Sequence, residues 1–463
     1  MAKDATEPHT RNRPIETAVA ETGPLSLQEA IDVLEPITAV WAEPRGSPVI
    51  AVGRAATVTG AGSNRFATVR RRADALFASI EQQGLPRPAR PRLFGGFSFF
   101  DEESLDPPWT DFEPAGFVLP AIQVRLDRDR TWVTSLGPDP NDRLRRAIES
   151  LETARDGADT GTPPLHESTD RDRNDTGGTS DGQSREPFGL TAERSTWTER
   201  VRALRDTIRE SDLQKVVLSA AYELEIEGDF DLGSTLAGLE SRYPDCYRFS
   251  FVGPRADPSD PNGASFFGAS PERLVEKRGE AVETEALAGT VERGADPSLD
   301  ERQIERLLDD ETLGREHGLV ATQITDQLDT LGAEVSVGER SIRTLANVHH
   351  LRTPITASLP STVHVLDIVA SLHPTPALGG LPTEKAQETI AETETTVRGW
   401  YGAPVGWFDA EGDGTFAVGI RSALVRAGRA TLFAGNGIVG GSDPETEWRE
   451  LEAKFEPIRE VLE

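Results

Sequence analysis

Between Asp156 and Pro187 the chain offers almost nothing to a hydrophobic core. Ala158 and Leu165 are the only aliphatic side chains there, and the rest is Asp, Thr, Gly, Ser, Arg, Pro and other polar residues. Such a stretch does not bury enough apolar surface to offset the entropy of ordering it. It reads as a disordered acidic and polar insertion, so packed structure has to be built from what flanks it. The expected organisation is a flexible N-terminal tail over 1–23, an α+β portion over 24–155, the insertion over 156–187, and a larger region over 188–463.

Patterning on either side mixes strands and helices. Residues 49–59 and 117–126 have strand composition, and 65–83 and 142–155 read as helices. The aromatic run 93–100, broken by Gly95 and Gly96, reads as a packed strand with a bulge. Beyond the insertion, Thr196-Trp197-Thr198-Glu199 has the form of a capping box opening a helix. A buried strand is expected over 215–219, and paired strands over 265–270, 273–277 and 281–287. A long helix is expected over 299–331. Strands over 415–426 and 430–433 precede a last helix that starts at Asp443-Pro444.

Composition narrows the function classes. A chain of 463 residues suggests two or three domains, or one large one. Hydrophobic residues at 37%, with 42 glycines besides, argue against global disorder. No apolar run is long enough for a membrane span, and Lys3, Asp4, Glu7, Arg11, Arg13 and Glu16 leave no apolar core for a secretory signal. The single cysteine, Cys246, closes no internal disulfide, which fits a reducing cytoplasm. The formal charge of −29 is unsuited to nucleic acid or anionic membrane. Only Lys3, Lys215, Lys277, Lys385 and Lys454 are lysines. Many carboxylates with few lysines is the balance expected in a salt-rich, halophilic cytoplasm, where screening to about 3 Å at 1 M salt tolerates the self-repulsion. The plainer reading is an acidic protein of ordinary habitat.

Several residues are candidates for chemistry. Lys215 opens an apolar strand; a lysine there either snorkels to solvent or, buried, loses its proton near neutral pH as an arginine does not. Ser270-Pro271-Glu272 lies between two strands, and the proline would aim Glu272 at a cavity or leave it an ordinary turn carboxylate. Glu316 falls on or beside the inward stripe of its helix and needs a partner. Glu447, Glu450 and Lys454 share one face of the last helix. Carboxylates from two helices suit Mg²⁺, a hard ion that takes oxygen ligands, although a solvated acidic face gives the same spacing. Arg421, expected inside a strand, is costly to bury without an anion. Gly435-Asn436-Gly437 is expected to follow a strand, as a tight turn or as a cradle of backbone N–H groups. His349 and His350 are adjacent, so on a strand they point to opposite faces.

These segments fall in the order of a known family. Lys215-Val216-Val217-Leu218-Ser219, Ser270-Pro271-Glu272, Leu287-Ala288-Gly289-Thr290, Arg315-Glu316-His317, His350-Leu351, Gly419-Ile420-Arg421-Ser422-Ala423 and Glu447-Trp448-Arg449-Glu450 resemble the motifs of the chorismate-utilising enzymes: the isochorismate, anthranilate, aminodeoxychorismate and salicylate synthases. The resemblance runs from about Thr196 to Glu463 and is weak before it. Ala288 stands where aminodeoxychorismate synthases carry a nucleophilic lysine. Ala377 stands where salicylate synthases tend to have threonine. The stretch Leu372 to Gly380 looks like that of isochorismate synthases, whereas Asn436 departs from the small residue usual between the two glycines.

The resemblance implies an α+β fold of two antiparallel sheets packed as a sandwich, with helices outside. It implies a magnesium-dependent isochorismate synthase, an isomerase serving menaquinone biosynthesis, with chorismate as substrate and no obligatory protein partner. Lys215 would be the general base that activates water and Glu272 the general acid. Glu316 and Glu450, with Glu447 in support, would hold Mg²⁺. Arg421, Tyr401, Lys454, Gly435 and Gly437 would hold the enolpyruvyl carboxylate, and Gly289, Thr290, His350 and Ala377 would line the ring. The alternatives are an anthranilate synthase component I using ammonia, and a non-catalytic homologue.

Overall fold

The computed structural model describes residues 14–463 apart from 160–189, 227, 229, 258, 259, 261, 262, 295 and 345–347. The insertion expected over 156–187 begins inside the helix Pro140–Asp159, and the rest of it lies outside the described residues.

Among the described residues the strands form two antiparallel sheets, of eleven and ten strands. The eleven-stranded sheet runs in space through Thr17–Thr22, Thr131–Leu136, Ile122–Leu126, Val49–Val52, Ile37–Ala42, Tyr247–Val252, Ser265–Ser270, Ser422–Arg426, Arg429–Val439, Lys215–Glu225 and Gly380–Leu381. The ten-stranded sheet runs through Glu334–Val337, Val348–Ser358, Ala281–Glu292, Arg273–Arg278, Gly414–Val418, Pro404–Asp409, Arg92–Phe97, Ala115–Leu119 and Ala56–Gly60, with Ser341–Thr344 also on Val348–Ser358. Strands from before and after the insertion enter both sheets.

Period-two alternation builds the layers. Along Arg92–Phe97, Phe94 joins an aromatic cluster with Trp41, Phe249, Phe266, Trp407 and Phe433, drawn from both sheets. Leu93 and Phe97 point the other way, into the core beneath the helices. There Phe66 of the helix Arg65–Phe77 stacks on Phe97 at 4.1 Å. Each fully buried phenylalanine contributes roughly 1.5–3 kcal/mol. The outcome is the expected sandwich with helices outside.

Several expected elements divide where the chain changes sheet. The segment 49–59 is two strands, one in each sheet, as is 117–126. The tail expected over 1–23 is ordered at its end, because Thr17–Thr22 pairs with Thr131–Leu136. The capping box at Thr196 does not open its helix, which runs Leu190–Glu210. The long helix over 299–331 is two, Pro297–Asp309 and Glu311–Thr330. Asp310 ends the first, and its carboxylate accepts from Leu313 N at 3.0 Å to cap the second.

Two sheet-crossing corners matter most. Ser270-Pro271-Glu272 carries the chain from Ser265–Ser270 in one sheet to Arg273–Arg278 in the other. Gly419-Ile420-Arg421 does the reverse, from Gly414–Val418 to Ser422–Arg426, so the strand expected over 415–426 is two. The corners are tied together, since Val418 N donates to Glu272 O at 3.0 Å and Ala269 N donates to Arg421 O at 3.0 Å. Arg421 is therefore not inside a strand. It takes φ of 50°, a left-handed conformation that costs a non-glycine residue about 1–2 kcal/mol.

Candidate active site

Lys215 begins the strand Lys215–Glu225, whose register against Arg429–Val439 sets Lys215 opposite Val439 and Val217 opposite Gly437. The Lys215 side chain passes over Gly437: a β-carbon there would fall 2.5 Å from Cε and 3.2 Å from Nζ. Gly435 is likewise crowded, by Leu218 O at 2.8 Å and the Tyr401 hydroxyl at 3.1 Å. Gly435-Asn436-Gly437 is thus not a turn after a strand. It lies within the strand Arg429–Val439, its glycines have no positive φ, and they are required for close approach.

The lysine amine is held below its usual range. Burial is the largest cause and Lys454 adds to it, while Glu316, Glu272 and Glu450 oppose. The two helices and the first corner therefore bring their carboxylates within electrostatic reach of one amine.

Glu272, 9% exposed, is pushed up to about 8 by burial and then by the charge of Glu285, with Lys215 and Arg343 opposing. It is a neutral acid at pH 7. Glu285 stays where it exerts that effect because Arg343 Nη1 donates to it at 2.6 Å and Arg352 Nε donates to its other oxygen. A cavity of about 10 Å³, at the threshold for one water, has Glu272, Glu285, Thr375 and Ala377 in its wall.

Glu316 sits in the second turn of Glu311–Thr330, which packs on the strand Ala281–Glu292. His317 fixes that contact, with Nδ1 3.3 Å from Ala288 O and Nε2 2.8 Å from the Thr353 hydroxyl. Next to it the strand bulges at Gly289, which has φ of 75°. Past the bulge Thr290 pairs with His350, and Thr290 Oγ1 lies 2.9 Å from His350 Nδ1. Burial, with Arg421, Lys454 and Arg343 nearby, lowers His350 to about 3, so its ring is neutral. His349 points the opposite way, to Asp300 at 2.8 Å, so the pair does not chelate.

The last helix, Pro444–Leu462, supplies the other wall. Lys454 Nζ donates to Glu450 Oε1 at 2.7 Å, Asn436 Oδ1 at 2.8 Å and Gly435 O at 2.9 Å. All three of its donors are used, so Lys454 bears on a ligand through Glu450 and its own charge. Asn436, fully buried, donates through Nδ2 to Glu447 Oε2 at 2.9 Å and Glu447 O at 2.7 Å. Burial raises Glu447, while the charge of Lys454 lowers Glu450.

Arg421 looks into a cavity of about 250 Å³ shared with Tyr243, Cys246 and Pro271. Burial lowers its guanidinium, opposed weakly by Cys246, Tyr401, Tyr243 and Glu450. Among the described residues no carboxylate is ion-paired with it, and a half-buried cation left so is a ready anion site. Tyr401 stacks on Phe433 at 5.5 Å, and burial holds its hydroxyl well above the usual phenol range.

Among the described residues no three His, Cys, Asp or Glu side chains form a ready cage, so Glu316, Glu447 and Glu450 are not a preassembled cluster. Lys454 and Asn436 link the last two in one hydrogen-bonded chain. The donors are nonetheless hard oxygens, and Mg²⁺ is commonly held by one or two carboxylates with waters completing its shell; the residues fit that mode.

Sequence reasoning missed the supports. Arg398 donates to Val217 O at 2.8 Å, Leu378 O at 2.9 Å and the Glu394 carboxylate, which accepts from Ser219 N at 2.7 Å. This buried pair ties the lysine strand to the segment carrying Ala377. The signal available was a Glu–Arg pair at i,i+4, indistinguishable from an exposed one.

A two-sheet sandwich that carries a neutral acid and an arginine on its two sheet-crossing corners, and at a strand start an amine that feels the acid's charge, has the layout of a catalytic domain for anionic substrates. The family profile described as "Chorismate binding enzyme" matches residues 2–463. The chain is 33% identical to the salicylate biosynthesis isochorismate synthase of Pseudomonas aeruginosa, over 95% of this chain and 87% of that one. It is 32% identical to the isochorismate synthase MenF of Bacillus subtilis, over 80% and 74%. The solved structure of MenF, the menaquinone-specific isochorismate synthase from Escherichia coli, superposes with a TM-score of 0.71 at 24% identity, over 98% and 97%. The chain belongs to the chorismate-binding enzymes.

Proposed function

We propose that the chain is an isochorismate synthase. The observation that carries this reading is that the strand start at Lys215 and the corner at Glu272 hold an amine and a carboxyl that feel each other's charge, each shifted toward its neutral form. That is the protonation state a base and an acid need before turnover.

Lys215 takes a proton from a water, whose oxygen bonds to ring carbon C2. Glu272 gives its proton to the C4 hydroxyl, which leaves as water while the ring double bonds shift. Arg421, ion-paired with no carboxylate among the described residues, takes the enolpyruvyl carboxylate beside Tyr401, next to the strand at Gly435 and Gly437. Gly289, Thr290, neutral His350 and Ala377 border the ring. Glu316 and Glu450, with Glu447 behind, would hold Mg²⁺, which would supply an electrostatic clamp for a carboxylate of the substrate.

Relatives named for menaquinone and for salicylate both carry this activity, and we assign the product here to menaquinone biosynthesis, in a salt-rich cytoplasm. Incubating the purified chain with chorismate and Mg²⁺, with and without ammonia, tests the reading. Isochorismate without ammonia supports it. Anthranilate formed only with ammonia makes the chain an anthranilate synthase component I, and no product makes it a non-catalytic homologue.

A further inference from the structure

A third cavity, of about 460 Å³, has none of these residues in its wall. It is bounded by the first turn of the helix Arg65–Phe77, by Phe99, Phe100 and Asp101, and by the helix Val365–Leu372 with His373 and Pro374 after it. Its size is that of a small-molecule site, roughly 300–1,000 Å³.

Arg65 is the feature that sets it apart. The residue is 5% exposed. Its Nη1 and Nη2 make only long bonds to backbone, to Gly62 O at 3.3 Å and Ser98 O at 3.4 Å, and its Nε is buried with no partner. Asp101 and Glu102 act on it only from a distance. Other buried arginines are paired: Arg248 with Glu240 at 2.7 Å, and Arg398 with Glu394. Arg92, which is not, lies over the Trp407 ring at 3.9 Å and lines no described cavity. A buried cation with no carboxylate in direct contact among the described residues is costly unless something supplies one, and here the guanidinium adjoins open space.

The rest of the wall says what else the occupant carries. Phe66, Phe99 and Phe100 line it, and the Arg65 guanidinium lies 4.8 Å from the Phe66 ring. His373 Nε2 donates to Phe99 O at 2.9 Å, which leaves Nδ1 of the neutral ring as an acceptor. Asp367, the other carboxylate near the cavity besides Asp101, is already paired with Arg70 at 2.5 Å.

We propose that this cavity binds a small ring-bearing carboxylate, with the carboxylate on Arg65 and the ring among Phe66, Phe99 and Phe100. The occupant sits against His373 and Pro374, which lead within four residues to Ala377 in the wall beside Glu272. The site is thus in contact with the segment that borders the catalytic acid.

Calorimetric titration of the intact chain with benzoate, and with benzamide as its uncharged equivalent, tests this. Ala370 is exposed at the cavity wall, and Ala370→Trp fills the space without touching Arg65. Ser63→Trp does the same from the opposite rim if the first variant melts lower. Saturable benzoate binding is expected, weakened about tenfold or more in benzamide. It should be retained in Arg421→Gln, whose target is the catalytic region, and lost in the tryptophan variants while chorismate turnover persists. No saturation by about 10 mM benzoate, equal binding of benzamide, or loss in Arg421→Gln with retention in the tryptophan variants would overturn the proposal.

Discussion

The side chain of Lys215 lies across the backbone of Gly437, so closely that a single added methyl would overlap Cε at 2.5 Å. The glycine is what lets the amine reach the interior from a strand end. Gly437→Ala should therefore displace Nζ while the ladder between the two strands survives. We expect kcat to fall about 100-fold, the scale of a misplaced catalytic group, with a nearly unchanged melting temperature. Steady-state kinetics beside a thermal melt will tell; wild-type turnover would mean that the amine's position is unimportant.

Lys215→Ala should lose about 10²- to 10⁴-fold in kcat, the usual worth of a positioned base. Lys215→Arg should not recover it, because a guanidinium does not deprotonate at working pH. Activity of the arginine variant near wild type would point to a purely electrostatic lysine.

The acid should be visible in a pH profile. Glu272 is raised to about 8, and its protonated form is the active one. Turnover should therefore fall tenfold per unit above that value as the proton is lost. Glu272→Gln should be slow at every pH and lack this alkaline limb. An unchanged limb in that variant would assign it to another group.

Asn436 joins Lys454 to Glu447 from a fully buried position. Asn436→Ala strands a donor on Lys454 and two acceptors on Glu447, a buried group left unmade costing about 1–3 kcal/mol. Urea unfolding should show a loss of that size, together with a higher KM for chorismate. Unaltered stability would show that water replaces the amide.

At −29 the chain repels itself, and raising salt from 0.1 to 1 M shortens the screening length from about 10 to about 3 Å. The melting temperature should climb through that range in KCl. A flat or falling curve would favour an acidic protein of ordinary habitat.

What the sequence made legible followed from chemistry that leaves a local trace. Lys215 stood out as one of five lysines opening an apolar run, and Glu272 by its proline corner. Arg421 was misplaced because apolar patterning continues from Thr415 to Arg426, while the left-handed φ that turns the chain there has no signature in an arginine. The two glycines of Gly435-Asn436-Gly437 looked like a turn because crowding and positive φ select the same residue. Glu285 with Arg343 and Arg352, and Glu394 with Arg398, were invisible, because charges that meet across strands or along a helix read as solvated until burial is known. The break at Asp310 hid inside a continuing helical period.

The most direct test of the base–acid assignment is where the new oxygen comes from. Chorismate turned over with Mg²⁺ in ¹⁸O-labelled water should give isochorismate carrying the label at C2, and Lys215→Ala should form almost none of it. Isochorismate that carries no label at C2, or labelled product made by Lys215→Ala at the wild-type rate, would contradict the assignment.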